Sequence, residues 1–354
     1  MPEWSIGPHS KCGERATVPR VRIPVFPLKK DVNLTARFAS FSSCQTLCTM
    51  KMFIIAALTA LFLTNHGCRP TTDRHEQLRT ELQEFTDTLD AQIGIALLTE
   101  EGDSLTLNSH LHYEMMSVFK FHQALAVCDY LYRNKLSLDT ILPITIDDLK
   151  PDTWSPLRDK YQQEEHADSM DISVRCLMEY TLQQSDNNAC DILFDRLVSP
   201  AETDAFIRAC GGMEEFGIAH TEAEMQKDHK LSEGNWSTPY AAAVLLKRFL
   251  ETDLIKEPYK TFVKGTMIAC QTGTARLPAP LLGSQATIGH KTGSGYTTAD
   301  GRLAATNDLG FITLPDGTRY ILAVFVKDSG YSAPQTEMII GQISQIVFNH
   351  LQKH

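Results

Sequence analysis

Apolar residues recur every three or four positions between residues 74 and 91, where Leu78, Leu82, Phe85 and Leu89 share one face, so the spacing predicts an amphipathic helix lying on a sheet. The pattern then changes to short strand-like runs. Gln92 to Leu98 and Ser104 to Asn108 read as a hairpin turning at Glu101-Gly102-Asp103. Strand-like segments return only near the other end of the chain, at Ala286 to Lys291, Leu303 to Leu314 and Arg319 to Lys327, the last two joined by Pro315-Asp316-Gly317. Gln335 to Leu351 reads as a closing helix. Between the two strand groups, 117–133, 172–183, 187–197, 201–209, 239–252 and 258–269 favour helix by period and composition. The expected fold class is α/β (α+β): an antiparallel sheet built from both chain ends and flanked by helices, packed on an all-helical domain. The sheet part would span about 74–112 and 284–354, and the helical part about 113–283.

Charge divides the chain at the same place as hydropathy. The first 67 residues carry 8 Lys and Arg against 3 Asp and Glu, while the whole chain has a formal net charge of −10. No basic footprint for phosphate contacts is present, so a general nucleic-acid binder is excluded. Met50-Lys51 precedes a 12-residue apolar run, Met52 to Leu63, too short to span a bilayer but suited to a signal-peptide core over 50–67. Gly67-Cys68 behind it resembles a bacterial lipoprotein signal, in which Cys68 is lipidated. Asn65, where an aliphatic residue is usual, leaves ordinary signal cleavage as the alternative. Translation is expected to start at Met50 or Met52, making 1–49, with Pro2, Pro8, Pro19, Pro24 and Pro27, a non-native upstream extension or a disordered tail. Residues 68–354 form the folded domain. Of nine cysteines, Cys128, Cys176, Cys190, Cys210 and Cys270 fall in it. None has metal-ligand spacing, so buried thiols are expected, with one disulfide open in an oxidising compartment.

Three short motifs carry the chemistry. Ser117-Val118-Phe119-Lys120, Ser185-Asp186-Asn187 and Lys291-Thr292-Gly293 follow one another at intervals of 68 and 106 residues. A Ser-x-x-Lys alone arises by chance roughly once in a chain of this length; three motifs in this order do not. Ser117 opens an apolar helix with Lys120 one turn on. Its own amide, unpaired at a helix N-terminus, can hold an oxyanion, and a lysine amine beside the hydroxyl can activate it. Ser185, Asp186 and Asn187 also suit a helix cap. Lys291, Thr292 and Gly293 end a strand whose edge offers backbone groups, charge and a hydroxyl to a carboxylate, with Gly293 letting a ligand approach closely.

With Met116 to Lys120, Gln184 to Ala189 and His290 to Tyr296 in place, the chain from about residue 74 onward resembles the class A serine β-lactamases. It looks closest to the extended-loop cephalosporinase branch of Gram-negative anaerobes. The resemblance implies a serine β-lactamase/penicillin-binding-protein fold with the site between an α/β and a helical domain. It implies hydrolysis of penicillins and cephalosporins through a Ser117 acyl-enzyme, without metal or cofactor. In that scheme Ser185 shuttles a proton to the leaving nitrogen, Asn187 holds the substrate amide, and the amides of Ser117 and Ser294 form the oxyanion hole. Glu222, in Thr221-Glu222-Ala223-Glu224-Met225-Gln226, matches the glutamate that activates the deacylating water. The acylation base, Lys120 or Glu222 through water, stays open. Arg276, in a TGxxR stretch, matches an arginine reaching the substrate carboxylate, and Trp154 an aromatic at the mouth of the site. A monomer in the periplasm, attached to the membrane only through Cys68, is expected.

Two departures stand out. Asp191 occupies a position where the family usually has an amide that holds the Glu222 loop, and His220 replaces an arginine two residues before Glu222. Two adjacent carboxylates repel, so either Asp191 takes a proton or the loop follows another course. The competing functions are a D,D-peptidase of the penicillin-binding-protein type and a non-hydrolysing β-lactam sensor or peptidoglycan-binding lipoprotein. Glu222 argues against both. His110 and His112 form an HxH without the further ligands of a metallo-hydrolase.

Overall fold

The structure, a computed structural model, describes residues 71–163, 169–210 and 214–352. The expected extension over 1–49, the signal peptide over 50–67 and Cys68 lie outside the described residues. In chain order the first elements are α1 (Thr71–Thr86), β1 (Gln92–Thr99), β2 (Ser104–Leu107), β3 (Tyr113–Glu114) and a 3-10 turn (Met116–Val118) leading into α2 (Phe119–Arg133). Next come β4 (Ile141–Thr145), α3 (Pro156–Gln163), β5 (Ser169–Ser173), α4 (Val174–Gln183), α5 (Asn187–Arg196) and α6 (Pro200–Ala209). They are followed by β6 (Phe216–Gly217), α7 (Glu222–Lys227), β7 (Trp236–Ser237), α8 (Pro239–Glu251) and α9 (Tyr259–Ile268). The chain closes with β8 (Thr287–Ser294), β9 (Leu303–Thr313), β10 (Arg319–Ser329) and α10 (Ala333–Gln352).

The main sheet has five antiparallel strands in the order β2-β1-β10-β9-β8, so strands from both chain ends do pair. Its two faces follow from the period-2 geometry of strands. On β1, Ile93, Ile95 and Leu97 pack with Leu78 and Leu82 of α1 and with Ile339, Ile340 and Ile343 of α10. Ala96 and Leu98 face the other way, into a core shared with Phe311, Ile321, Phe325 and the helices between the strand groups. Burying a leucine such as Leu78 completely contributes about 2 kcal/mol, and both layers contain many such residues. With helices on both faces, β1 is buried along nearly its whole length.

The helical part also contains two small sheets, β3-β7-β6 and β4-β5, which the sequence reading missed. Two-residue strands have no measurable period. Helix starts are set by local chemistry. Ser173, Asp186, Ser199, Thr221 and Thr238 each accept a backbone N–H at the first turn, and Pro200 and Pro239 occupy first-turn positions where no donor is needed. The first helix ends at Thr86, short of Leu89.

One close approach ties the sheet to the helical part. A Cβ at Gly293 would lie 2.4 Å from the Met115 carbonyl oxygen and 3.1 Å from Met116 Cβ. The expectation that Gly293 makes room for a ligand is therefore corrected: it makes room for the backbone just before Ser117. Asn307 of β9 fastens the same place, its Nδ2 donating to the carbonyls of Glu114 at 2.7 Å and Met115 at 3.2 Å. Gly293→Ala is expected to destabilise the protein by about 1–3 kcal/mol, the usual range for overpacking. A urea midpoint equal to that of the wild type would show that the contact tolerates a methyl group.

Candidate active site

Ser117 sits in the 3-10 turn immediately before α2, preceded by Met116 at φ 46°. Ser185 is also left-handed, at φ 59°. Two non-glycine residues in this region, both beside motif side chains, mark backbone held in place by its surroundings.

Lys120 and Glu222 converge on Ser117. The Ser117 Oγ donates to Glu222 Oε1 at 3.3 Å, and the same oxygen lies 2.9 Å from Lys120 Nζ. Lys120 is fully buried, and its Nζ also donates to the Ser185 carbonyl at 2.8 Å and to Asn187 Oδ1 at 2.6 Å. Its three donors therefore have three acceptors. Ser185 faces a second lysine: Lys291 Nζ donates to its Oγ at 2.9 Å and to the Thr292 carbonyl at 2.9 Å. Burial, helped by the Lys120 charge, pulls the Lys291 ammonium down to about 7.

The middle residue of the second motif is structural. Asp186 is buried and accepts from Ala189 N at 2.8 Å, Leu157 N at 2.6 Å and Ser155 Oγ at 3.0 Å, joining the Trp154 loop to the start of α5. Trp154 is exposed at the mouth, its Nε1 donating to the Gln184 carbonyl at 2.8 Å. Asn187 Nδ2 donates to Thr153 Oγ1 at 2.7 Å.

The cleft has two lobes that share Ser117, Asn187 and Ser294. One is lined by Trp154, Ser185, Thr272, Arg276, Thr292 and Glu337. The other runs along Glu222, Met225, Gln226, His229, Ser232 and Tyr296, with His229 stacked on Tyr296 at 4.6 Å. β8 extends through Ser294, so Lys291-Thr292-Gly293 lies within the strand and not at its end.

Arg276 behaves differently from the sequence expectation. Nη1 donates to the carbonyls of Gly293 at 2.9 Å and Asn307 at 2.8 Å. Nη2 donates to Ser294 Oγ at 2.6 Å and Glu337 Oε1 at 2.8 Å, and Nε to Glu337 Oε1 at 3.3 Å. All five donors of the guanidinium are matched within the protein, and the side chain is buried. The glutamate partner, Glu337 in α10, was not foreseen, nor was Asn307. They come from segments far apart in sequence, and no local pattern marks them.

Glu222 is fixed at the start of α7. Thr221 Oγ1 accepts from Glu224 N at 3.2 Å, while Asp191 Oδ1 accepts from Glu222 N at 2.8 Å and Oδ2 from Ala223 N at 2.7 Å. The first three amides of α7 are thereby matched. Glu224 is turned away, its Oε2 accepting from Thr221 N at 2.9 Å, which removes it as an alternative base. His220, where the family has arginine, takes no such central position: its Nδ1 lies 3.7 Å from Glu224 Oε2, and Asn235 brackets its backbone. His112 stacks on Trp236 at 3.5 Å. The five cysteines of the described residues form no disulfide with one another.

Burial and the Glu222 charge push Asp191 up to about 7, against the two amides and Lys120, which favour its ionised form. An Asp whose folded pKa is raised binds a proton that the unfolded chain, with an ordinary value near 4, has already lost. Its contribution to stability therefore falls as pH rises from about 4 to about 7. Asp191→Asn should abolish that slope, so urea midpoints of wild type relative to mutant should decline between pH 5 and pH 8. Parallel profiles would place the titration elsewhere.

Comparison with known proteins agrees with this geometry. The model of the β-lactamase enzyme family matches residues 76–351. A β-lactamase of Phocaeicola vulgatus is 39% identical over 277 residues, covering 78% of this chain and 85% of the relative. The extended-spectrum β-lactamase PER-1 of Pseudomonas aeruginosa is 32% identical, covering 84% of this chain and 96% of the relative. The crystal structure of a class A β-lactamase from Bacteroides cellulosilyticus superposes with a TM-score of 0.75 at 32% identity, covering 79% of this chain and 99% of that one. That of the TLA-3 extended-spectrum β-lactamase gives 0.74 at 37%, covering 78% and 98%. The chain belongs to the β-lactamase enzyme family, among the class A serine β-lactamases.

Proposed function

We propose that this protein hydrolyses β-lactams by acylation of Ser117 and release of the acyl group by water that Glu222 activates. The observation that carries the assignment is the direct approach of Glu222 Oε1 to both Ser117 Oγ, at 3.3 Å, and Lys120 Nζ, at 2.9 Å. Ser117 Oγ attacks the lactam carbonyl as its proton passes to Glu222, and the C–N bond breaks. The oxyanion forms between the amides of Ser117 and Ser294. Ser185, whose hydroxyl is held by Lys291, gives its proton to the departing nitrogen. The proton that Glu222 took from Ser117 passes on to Ser185, so both groups are restored; Glu222 then takes a proton from water, which attacks the ester, and returns it to Ser117 Oγ as the ester C–O bond breaks.

Lys120 serves this scheme as a fixed positive charge. Its three hydrogen bonds run to acceptors other than Ser117, so the geometry favours Glu222 as the acylation base. The substrate carboxylate fits the lobe lined by Ser185, Thr292 and Ser294, behind which Lys291 is buried, and Trp154 covers its mouth. Asn187, which lines both lobes of the cleft, would receive the substrate amide. The relatives are named β-lactamases, and the reading as a penicillin-binding protein or non-hydrolysing sensor is not favoured.

Glu222→Gln keeps the shape and removes the base. Both steps lose their base, but the strained lactam still acylates Ser117 slowly whereas the unstrained ester waits for activated water, so turnover of a cephalosporin should fall by about 10²- to 10⁴-fold and the acyl-enzyme should accumulate. Ser117→Ala should capture nothing by intact-protein mass spectrometry. Steady wild-type turnover in Glu222→Gln would mean that another group activates the water. A wild type that stalls after one equivalent would return the protein to the sensor reading.

We further propose export to the periplasm with lipid on Cys68, supported by the basic and apolar segments before it and by bacterial relatives. Cys68→Ala should release the protein from the membrane fraction into the soluble periplasm. Unchanged attachment would argue against lipidation.

A further inference from the structure

Among the described residues, two charged side chains line the lobe that takes the substrate carboxylate, Arg276 and Glu337. They are not equally accessible. The Arg276 side chain is 4% exposed and that of Glu337 30%, so a molecule entering this volume of about 270 Å³ meets the carboxylate and not the guanidinium. A glutamate that served only to neutralise a buried arginine would meet it side on, each oxygen taking one N–H of the fork. Glu337 does otherwise. Nη2, at 2.8 Å, and Nε, at 3.3 Å, both donate to Oε1, and Oε2 has no hydrogen-bond partner among the described residues. The lobe thus contains an anionic oxygen that the fold leaves open.

One atom fixes its place beside the carboxylate subsite. Arg276 Nη2 donates both to Glu337 Oε1 and, at 2.6 Å, to Ser294 Oγ, so the two acceptors flank the same nitrogen. A ring carboxylate on Thr292 and Ser294 would lie next to Glu337. Like charges this close repel, unless the substrate brings a positive charge with it. Trp154 adds to that preference. Its indole is 61% exposed at the mouth of the lobe, with Nε1 held by the Gln184 carbonyl, and an open indole face attracts cations.

We propose that Glu337 is a specificity-determining residue that makes the enzyme prefer cephalosporins with a cationic substituent, a pyridinium or quaternary ammonium, next to the ring carboxylate. The cation pairs with Glu337 Oε2 against the Trp154 ring while the carboxylate binds Thr292 and Ser294. No bond forms or breaks at Glu337, which acts on binding alone. The inference rests on the placement of the substrate carboxylate proposed for hydrolysis.

The test compares two cephalosporins with the same thienylacetyl side chain, one bearing a neutral acetoxymethyl group and the other a pyridiniummethyl group on the carbon next to the one that carries the carboxylate. Ring opening is followed by absorbance with wild type and Glu337→Gln. The glutamine amide oxygen can still accept from Nη2 and Nε, so Arg276 keeps its place while the charge is gone. The ratio of kcat/KM for the two compounds on one preparation cancels the active fraction, and comparing that ratio between the proteins cancels the intrinsic reactivity of the rings. The cationic-over-neutral ratio should fall by about fivefold in the mutant, the upper end for an exposed ion pair. The fall should be smaller in about 1 M sodium chloride, where charges are screened beyond ~3 Å. An unchanged ratio, or an equal loss on both compounds, would show that Glu337 only holds Arg276 and would overturn the proposal. So would a fall of the same size at low and high salt. Glu337→Ala, neutral and favoured in a helix, gives the same readout if the glutamine form does not fold. A wild type that opens neither ring would instead overturn the hydrolase reading on which the proposal stands, so the two failures are distinguishable.

Discussion

The site is organised around a lysine ammonium with no exposed surface. Taking such a charge from water costs several kcal/mol, and only close acceptors offset it. Lys120 finds them on three separate segments: the Ser185 carbonyl, Asn187 Oδ1 and Glu222 Oε1. The unusual backbone of Ser185 follows from this requirement. At φ 59° its carbonyl meets Lys120 while its hydroxyl meets Lys291, so one strained residue separates two buried cations. Removing any acceptor would leave part of that charge unmatched, and the segments that bear the chemistry would lose their common anchor.

A second constraint acts on the far side of Glu222. The N-terminus of a short helix leaves amides without partners, and here they are met by Thr221 and by the carboxylate of Asp191. An amide oxygen can take two donors, as Asn235 Oδ1 does with Ala219 N and His220 N, but the carboxylate of Asp191 gives each amide an oxygen of its own. Negative charge is also favoured at a helix N-terminus. The opposing effect is repulsion from Glu222 together with burial, which brings Asp191 to about 7. Of the two alternatives raised by the sequence, the structure favours the first: the loop keeps its anchor on Asp191, whose burial beside Glu222 favours the protonated form.

The sequence disclosed those parts in which residue type and chemistry are inseparable. Ser117, Lys120, Ser185 and Lys291 meet in space because an acyl-transfer site needs a nucleophile, charges and a proton carrier. The sheet was legible because strands with both faces covered give long apolar runs, as in β1 and β10. Other features left no local trace. The two-residue strands β3, β6 and β7 are too short for a period, and Asn307 and Glu337 act through contacts made only after folding. Gly293 was visible but misread, since nothing local says whether an absent side chain makes room for ligand or for backbone.

Arg276 shows how tertiary contacts can change the meaning of a recognised residue. Resemblance assigned it to the substrate carboxylate, yet its five donors reach Gly293, Asn307, Ser294 and Glu337. These partners belong to the end of β8, its neighbour β9 and α10, so the guanidinium fixes the strand that presents the Ser294 amide and hydroxyl. Glu337 compensates part of its charge. A carboxylate in the cleft would therefore meet Ser294 Oγ already oriented by Nη2, and would contact the guanidinium itself only by replacing one of these partners. Since a hydrogen bond donated to a hydroxyl strengthens the one that hydroxyl donates, Arg276 would act on a carboxylate in the cleft through Ser294 and through the shape of β8.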